Sequence, residues 1–576
     1  MTATEDLPER QPTKALSPIQ TRIQSPSPST APAPVRPQPA IHVPSPTSAG
    51  TPPASRAPGQ RYSAYAAQHL PGGIPGKEVL SPVSFYAACT PDAPALITAQ
   101  GALSYRQLDH LIRREAPGLR ALAEARQTQK PGSLPPVILL SAGVAPGVLL
   151  LIWLAFHAGV AVCPVNPRLP PARLEEIVSR IRPAAVLIHQ DGGAPKADQA
   201  RRRICAGMAD LAPLADRLRQ EILTPETDEA RDPDAPARAP LLLETSRTAD
   251  LILTSGSSGT PKAAAHSLSC LLAAVADGDM PESSDISLQS LPLFHIGGLM
   301  ISLRALASGS AVLVPPPGMA AQEAILAFHP SVVSLVPTQI RSLLDTGADL
   351  AQAGIRKLLI GGGAVTRTLL RECLSRGLAP WISYGMTESS AQMCARQITS
   401  PEDLASLTAS PLPGREIRIR EGEIQFRGQI MFRGYLQPDG RLDLPLTADG
   451  WFPTGDLGSY EDGQLRVLGR KDCMFVSGGE NIHPETVERA ISEITGSPRC
   501  AVVGVPDPRW GTAGVAVVDG PADGLREKLK ACLAPHEVPR HFLPWPEGGS
   551  SGGLKFSRKE LAAYAARILG SQHQDD

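Results

Sequence analysis

The chain has 576 residues, with Lys plus Arg at 55 against Asp plus Glu at 56, a net charge of -1. That length holds three to four units of about 150 residues, enough for a large buried core and a smaller companion, and it excludes a peptide or a disulfide-stapled scaffold. The charge balance leaves no field to hold nucleic acid or an anionic membrane surface, so any polyanion must be met locally.

The predicted elements begin after an unpromising start. Proline occurs 14 times in the first 60 residues, among Ser, Thr, Ala and Gln. Such a segment cannot bury enough surface to offset its ordering entropy, and residues 1–75 are expected to be a disordered extension. It lacks the apolar core of a secretory signal, and its prolines argue against the amphipathic helix of a transit peptide. From Pro131 to Pro167 there is no Asp, Glu, Lys or Arg, long enough to raise a membrane span. Gly143, Pro146, Gly147, Gly159 and Pro164 cut that run into Val137–Leu140, Val148–Ala158 and Val160–Val165. The pattern predicts a strand, a helix with proline at its start and a second strand, hence a βαβ unit in a sheet covered on both faces and no transmembrane segment.

Between about Glu221 and Arg247 the acidic, Pro-rich sequence predicts a surface loop. Further strand-then-helix units are predicted around Asp250–Thr254, Ser331–Val336, Lys357–Ile360 and Trp381–Tyr384. After Gly414 the pattern alternates, and Glu416–Arg420, Glu423–Arg427 and Gln464–Leu468 read as antiparallel strands. The last hundred residues predict a helix near Pro484–Ile494, strands near Cys500–Val505 and Gly514–Val518, and a helix near Leu525–Leu533. The fold class is therefore α/β: a large N-terminal domain of βαβ-built sheets with a small antiparallel β subdomain, then a small α+β C-terminal domain. The nine cysteines never form Cys-x-x-Cys, and His266/Cys270 and Cys532/His536 each lack the second pair a zinc site needs. All nine are expected to be reduced, mostly buried thiols of a cytoplasmic protein.

The strongest chemical signal is Thr254-Ser255-Gly256-Ser257-Ser258-Gly259-Thr260-Pro261-Lys262, directly after the predicted strand Asp250–Leu253. Read as a strand-to-helix loop, it offers backbone N–H groups and hydroxyls that close around a phosphate chain, with Lys262 adding a cation. It is not a Walker A loop, because Gly259 and Lys262 are not adjacent and Ala263 stands where a magnesium-binding hydroxyl is required. A flexible Gly/Ser linker is the bland alternative.

That loop resembles the phosphate loop of the adenylate-forming superfamily, the acyl-CoA synthetases and their adenylation-domain and luciferase relatives. Tyr384-Gly385-Met386-Thr387-Glu388, Thr454-Gly455-Asp456-Leu457-Gly458 and Gly469-Arg470-Lys471-Asp472 follow in the family's order. With Asn166-Pro-Arg-Leu and Lys555, the resemblance spans roughly residues 80 to 565. It implies a large domain over 80–469, a hinge at 470–472 and a small mobile domain over 473–570. It also implies ATP, Mg²⁺ and coenzyme A as reactants, a small carboxylate as partner, and attack of that carboxylate on the α-phosphate, an anion approaching an anion that needs cations and preorganised donors.

By the same resemblance, Glu388 is the Mg²⁺ ligand, Thr387 contacts the α-phosphate and Tyr384 packs by the adenine. Asp456 takes the ribose hydroxyls and Arg470 the ribose and phosphate side. Lys555, inside Gly553-Leu554-Lys555-Phe556-Ser557-Arg558, stands for the lysine that bridges the substrate carboxyl and the α-phosphate, although Leu554 replaces the family's usual glycine. Asp472 is the one acidic hinge candidate, since Cys473 replaces a common second aspartate. Gly478 and Gly479 border the pantetheine tunnel. Taken alone, Tyr384 could be core and Asp456 a turn residue.

His295, in Leu291-Pro-Leu-Phe-His-Ile-Gly-Gly-Leu, borders the acyl pocket or is a core histidine. Arg304 lies nine residues on, amid Met300-Ile-Ser-Leu-Arg-Ala-Leu-Ala. A lone guanidinium there is costly unless it meets an anion or snorkels to solvent. The Phe-His…Arg304 spacing, Pro261-Lys-Ala-Ala-Ala-His-Ser and the Gly-Gly-Leu-Lys-Phe-Ser-Arg ending resemble one subgroup, the o-succinylbenzoate-CoA ligases of menaquinone or phylloquinone synthesis. The resemblance implies that Arg304 pairs with the aryl carboxylate while the succinyl carboxylate is activated. Alternatives are a fatty or aryl monoacid-CoA ligase, a stand-alone adenylation enzyme loading a carrier protein, or an inactive homologue acting through its Pro-rich arm.

Overall fold

The computed structural model describes residues 78–127, 134–141, 143–188, 203–206, 208–223, 239–254, 262–276, 281–350, 352–497, 499–546 and 558–572. The predicted N-terminal extension, most of the phosphate loop and Lys555 lie outside the described residues.

The charge-free run forms the predicted βαβ unit: strand Val137–Ser141, helix Pro146–Ala158 and strand Ala161–Val165, the two strands pairing in parallel from Val137↔Ala161 to Ser141↔Val165. The helix has no polar face because it has none to show to water, and every residue from Val148 to Phe156 is buried. Pro146 starts it and Gly159, at φ 69°, ends it by donating to Ala155 and Phe156. No helix among the described residues is long and apolar enough to cross a membrane.

Two large sheets carry the N-terminal part. One has eight strands in the order Leu442–Asp443, Gly434–Leu436, Lys262–Ser267, Thr248–Thr254, Ala161–Val165, Val137–Ser141, Ala185–Ile188 and Ala209–Asp210. The other has nine, with a parallel centre of Trp381–Tyr384, Lys357–Ile360, Val332–Leu335, Ile286–Leu288, Ala311–Val314 and Pro94–Thr98. A four-stranded antiparallel sheet follows, in which Arg415–Arg420, Glu423–Gly428 and Gln464–Arg470 match the predicted alternation. The long strand Phe452–Glu461 lies between the last two and is an addition to the sequence reading. Residues beyond Phe475 gather two cores of their own around a three-stranded sheet, Cys500–Asp507, Gly511–Val518 and His541–Pro544. The helix Pro484–Thr495 and the shorter Leu525–Lys530 stand where expected. All nine cysteines are free of disulfides; seven are buried or partly so, while Cys89 and Cys532 are exposed.

Three expectations are corrected. The phosphate loop joins two antiparallel strands, not a strand and a helix: Lys262–Ser267 pairs with Thr248–Thr254 on one side and Gly434–Leu436 on the other. The helix propensity of its three alanines yields to ladder bonds with strands on both flanks, and their small side chains are fully buried. Trp381–Tyr384 likewise leads into a short 3₁₀ turn, Thr387–Ser389, and an antiparallel strand, Cys394–Gln397. Finally, the segment read as a loop from Glu221 to Arg247 begins inside the helix Ala212–Leu223 and contains the strand Leu242–Glu244, paired with Glu78–Leu80.

A buried polar relay ties the first helix to this core. The His157 ring donates through Nδ1 to the Trp153 carbonyl at 2.7 Å and accepts at Nε2 from the Ser81 hydroxyl at 2.7 Å. The same Ser81 oxygen caps the helix Pro82–Cys89 by accepting from Val83. Burial pushes the His157 pKa down to about 4, so the ring is neutral at physiological pH.

Candidate active site

The turn Met386–Ala391 follows the C-terminal end of a parallel strand, where an α/β sheet opens toward ligands. Its backbone is tight: Ser390 and Ala391 have φ of 51° and 94°, conformations rarely held by non-glycine residues without surrounding constraint. Gly385 permits the fold-back, since a Cβ there would sit 1.5 Å from the Ala391 carbonyl oxygen.

Glu388 is buried, with 6% exposure. One carboxylate oxygen accepts from the Tyr435 hydroxyl at 2.6 Å, and the Lys262 ammonium lies 4.8 Å from the same tyrosine ring. Beneath the turn, His266 donates from Nδ1 to Asp250 at 2.5 Å and from Nε2 to the Thr387 carbonyl at 2.7 Å. Both ring nitrogens face acceptors, an arrangement that favours the doubly protonated ring. Burial works against that charge, but Asp250, the Thr387 carbonyl and Glu388 outweigh it and raise the His266 pKa.

A second chain of polar groups runs through Asp456, which lies within the strand Phe452–Glu461 and not in a turn. Tyr384 donates to its Oδ2 at 2.7 Å, and Arg470 reaches Oδ1 at 3.3 Å. Arg470 also donates to Asp472 at 3.0 Å, holding that carboxyl below its usual range. Burial raises the Asp456 pKa against the pull of Tyr384 and Arg470. Burial and the Asp456 charge push the Tyr384 phenol well up, fixing it as a donor. The two chains meet electrostatically, since the Arg470 charge acts on Tyr435. Tyr384, Thr387, Glu388, Asp456, Arg470, Asp472 and Lys262 thus form one connected region. Thr254 stands opposite Lys262, its hydroxyl donating to the lysine carbonyl at 3.4 Å. Ser255, Gly256, Ser257, Ser258, Gly259, Thr260 and Lys555 lie outside the described residues.

Gly478 and Gly479 form the two-residue loop of the hairpin Phe475–Ser477/Glu480–Ile482, with φ of 60° and 89°. That turn demands glycine-like backbone at both positions, and a Cβ on Gly478 would meet the Trp510 ring at 2.7 Å. The hairpin itself therefore accounts for both glycines.

Two alternatives for the acyl side are overturned. His295 is not a core histidine; it is exposed just before the helix Ile296–Ser308, its ring 4.7 Å from Phe294. Arg304 does not snorkel, because it faces inward at 8% exposure. Its guanidinium donates to the Gln392 amide oxygen at 2.6 Å. Burial, reinforced by the nearby Arg415 charge, lowers its pKa to about 10. Among the described residues it has no carboxylate partner. Four residues of this region escaped the sequence reading: Tyr435, His266, Asp250 and Gln392. Only His266 carried a signal, a histidine four residues after Lys262 in the segment that follows the phosphate loop.

Residues 84–436 match the AMP-binding enzyme family, and residues 486–547 match the AMP-binding enzyme C-terminal domain. The chain belongs to the AMP-binding enzyme family. It is 34% identical over 482 residues to the 2-succinylbenzoate–CoA ligase of Salmonella typhimurium, covering 82% of this chain and 95% of that one. It is also 32% identical over 491 residues to a feruloyl-CoA synthase of Amycolatopsis sp, covering 79% and 92%. Among solved structures it is similar to the o-succinylbenzoate coenzyme A synthetase of Bacillus subtilis in complex with ATP and magnesium ion, with TM-score 0.66, 26% identity and coverage of 81% and 96%. This membership bears out the α/β fold class and the AMP-forming acyl-CoA synthetase chemistry expected from the motifs.

Proposed function

We propose that this protein joins o-succinylbenzoate to coenzyme A in menaquinone or phylloquinone synthesis. The succinyl carboxylate attacks the α-phosphate of ATP, releasing diphosphate and leaving an acyl-adenylate; the coenzyme A thiol then displaces AMP to give the thioester. The observation that carries the choice of acid is Arg304, a buried guanidinium without a carboxylate partner among the described residues. A second substrate carboxylate supplies the missing anion. The likeness to a feruloyl-CoA synthase favours a second reading, an aryl monoacid, but a monoacid brings only the carboxylate that reacts and leaves Arg304 unpaired.

In this reading Lys262, with the loop Thr254–Thr260, neutralises the triphosphate as charge develops at the α-phosphorus. Glu388 fits a Mg²⁺ ligand, being a hard oxygen donor anchored by Tyr435, with its second carboxylate oxygen in no hydrogen bond among the described residues. When bound, that ion offsets phosphate charge. Thr387 faces the α-phosphate, Tyr384 the adenine and Asp456 the ribose, each oxygen of Asp456 retaining a lone pair beside those used by Tyr384 and Arg470. Arg470 holds the ribose and phosphate side, and Lys555 bridges the reacting carboxylate and phosphate. His295 borders the acyl entrance, and Gly478 and Gly479 lie beside the thiol's path. The large domain spans 80–469 and the small domain 473–570; rotation about Asp472 exchanges the Lys555 face for the thiol-admitting face. The protein works in the cytoplasm.

Acid-dependent exchange of pyrophosphate into ATP tests the reading. Exchange driven by o-succinylbenzoate, and at least tenfold less by 3-benzoylpropionate, which lacks the aryl carboxylate, supports it; equal exchange with both acids overturns the assignment of Arg304.

A further inference from the structure

The acyl side of the site is built with an asymmetry that a stable unliganded protein would avoid. A narrow cavity lies between the helix Ile296–Ser308 and the nine-stranded sheet, lined by Arg304, Gln392, Ser287, Ser334, Leu359 and Trp381. Two cationic side chains, Arg304 and Lys357, line it; Arg304 meets a neutral carboxamide where a carboxylate would bind it more strongly. The orientation of that amide is fixed. Arg304 can only donate and so takes Oε1, which leaves Nε2 to donate to the Ser383 hydroxyl at 3.2 Å, and the Gln392 backbone carbonyl accepts from Arg415 at 3.1 Å. The guanidinium is thus held in place while no carboxylate among the described residues neutralises its charge.

A second observation points to the same occupant. The Ser287 hydroxyl, 1% exposed on the strand Ile286–Leu288, lines this cavity and has no hydrogen-bond partner among the described residues. A buried hydroxyl without a partner is costly, and a ligand acceptor removes the cost.

We infer that Gln392 and Ser287 are specificity-determining residues which, around Arg304, form a receptor for the unreacted carboxylate of a dicarboxylic acid. Gln392 positions the guanidinium without consuming its charge, and Ser287 supplies a further donor. This rests on the reading that Arg304 faces a second carboxylate. A glutamate at 392 would form an internal ion pair and compete with the substrate for the same cation, while leaving the volume almost unchanged.

The test compares Gln392→Glu, Ser287→Ala and Arg304→Gln in the full chain, measuring kcat/KM for o-succinylbenzoate and for 3-benzoylpropionate, with the urea midpoint as a check on folding. Gln392→Glu is expected to cut the preference for the dicarboxylic acid by about 30-fold with no loss of midpoint, the scale of a hydrogen bond to a charged group. Ser287→Ala is expected to cut it by about fivefold. An unchanged preference in Gln392→Glu, or equal losses on both acids, overturns the inference. If Arg304→Gln lowers the preference and Gln392→Glu does not, only this inference fails; if Arg304→Gln leaves it intact, the reading of the substrate fails with it. Should Gln392→Glu lower the midpoint, Gln392→Met provides the decision: losing the anchor, it must reduce the preference as well.

Discussion

Replacing Arg304 by methionine should stabilise the unliganded protein while weakening its grip on a dicarboxylic acid. The structure sets the scale. Burial, with the Arg415 charge beside it, brings the guanidinium pKa from 12.5 to about 10, and about 1.4 kcal/mol per unit makes the cost of carrying that charge in the native state about 3 kcal/mol. The native pKa lies below the unfolded one, so the cost is present in full at neutral pH and is relieved only as pH rises through 10. Against this gain stand the lost hydrogen bond to Gln392, about 1 kcal/mol, and imperfect filling of the space. A net gain of about 1–2 kcal/mol is expected. Urea unfolding at pH 7 reads it as a rise in midpoint at unchanged slope, and o-succinylbenzoate should raise the midpoint of the parent protein but not of the variant. A loss of 1 kcal/mol or more in Arg304→Met would refute the reasoning, because it would mean that the free protein already satisfies this charge.

Other residues give independent checks. The native pKa of His157, about 4, lies below the ordinary 6.5, so the unfolded chain binds the extra proton first; stability falls as pH drops from 6.5 to 4, by up to about 3 kcal/mol from this residue. His157→Gln should flatten that part of the pH–stability curve, and an identical slope would contradict the neutral relay. Glu388→Gln retains the bond from Tyr435 but loses the charge, and should raise the Mg²⁺ concentration for half-maximal activity at least tenfold; an unaltered Mg²⁺ dependence removes Glu388 as the ligand. Lys555→Ala should abolish o-succinylbenzoate-dependent pyrophosphate exchange yet spare thioester formation from pre-made acyl-adenylate, and loss of both half-reactions would contradict the two-face assignment.

What the sequence made legible was local. The βαβ unit at 137–165 could be read because glycine and proline cut an apolar run at fixed places, and Tyr384, Thr387, Glu388, Asp456 and Arg470 because each sits in a short contiguous motif. The strand Lys262–Ser267 was hidden, since its identity depends on Gly434–Leu436, some 170 residues away. Tyr435, Asp250 and Gln392 were hidden for the same reason: an ordinary residue acquires meaning only when folding sets it against Glu388, His266 or Arg304. Arg304 stood out early because a single cation in an apolar helix violates local rules, and such violations mark sites where the fold has accepted a cost for function.

The most direct measurement is product identification after incubating the purified full chain with o-succinylbenzoate, ATP, Mg²⁺ and coenzyme A. The account predicts o-succinylbenzoyl-CoA with AMP and diphosphate in equal amounts, all three dependent on the acid. Release of ADP and phosphate, or AMP formation that does not respond to o-succinylbenzoate, would contradict it.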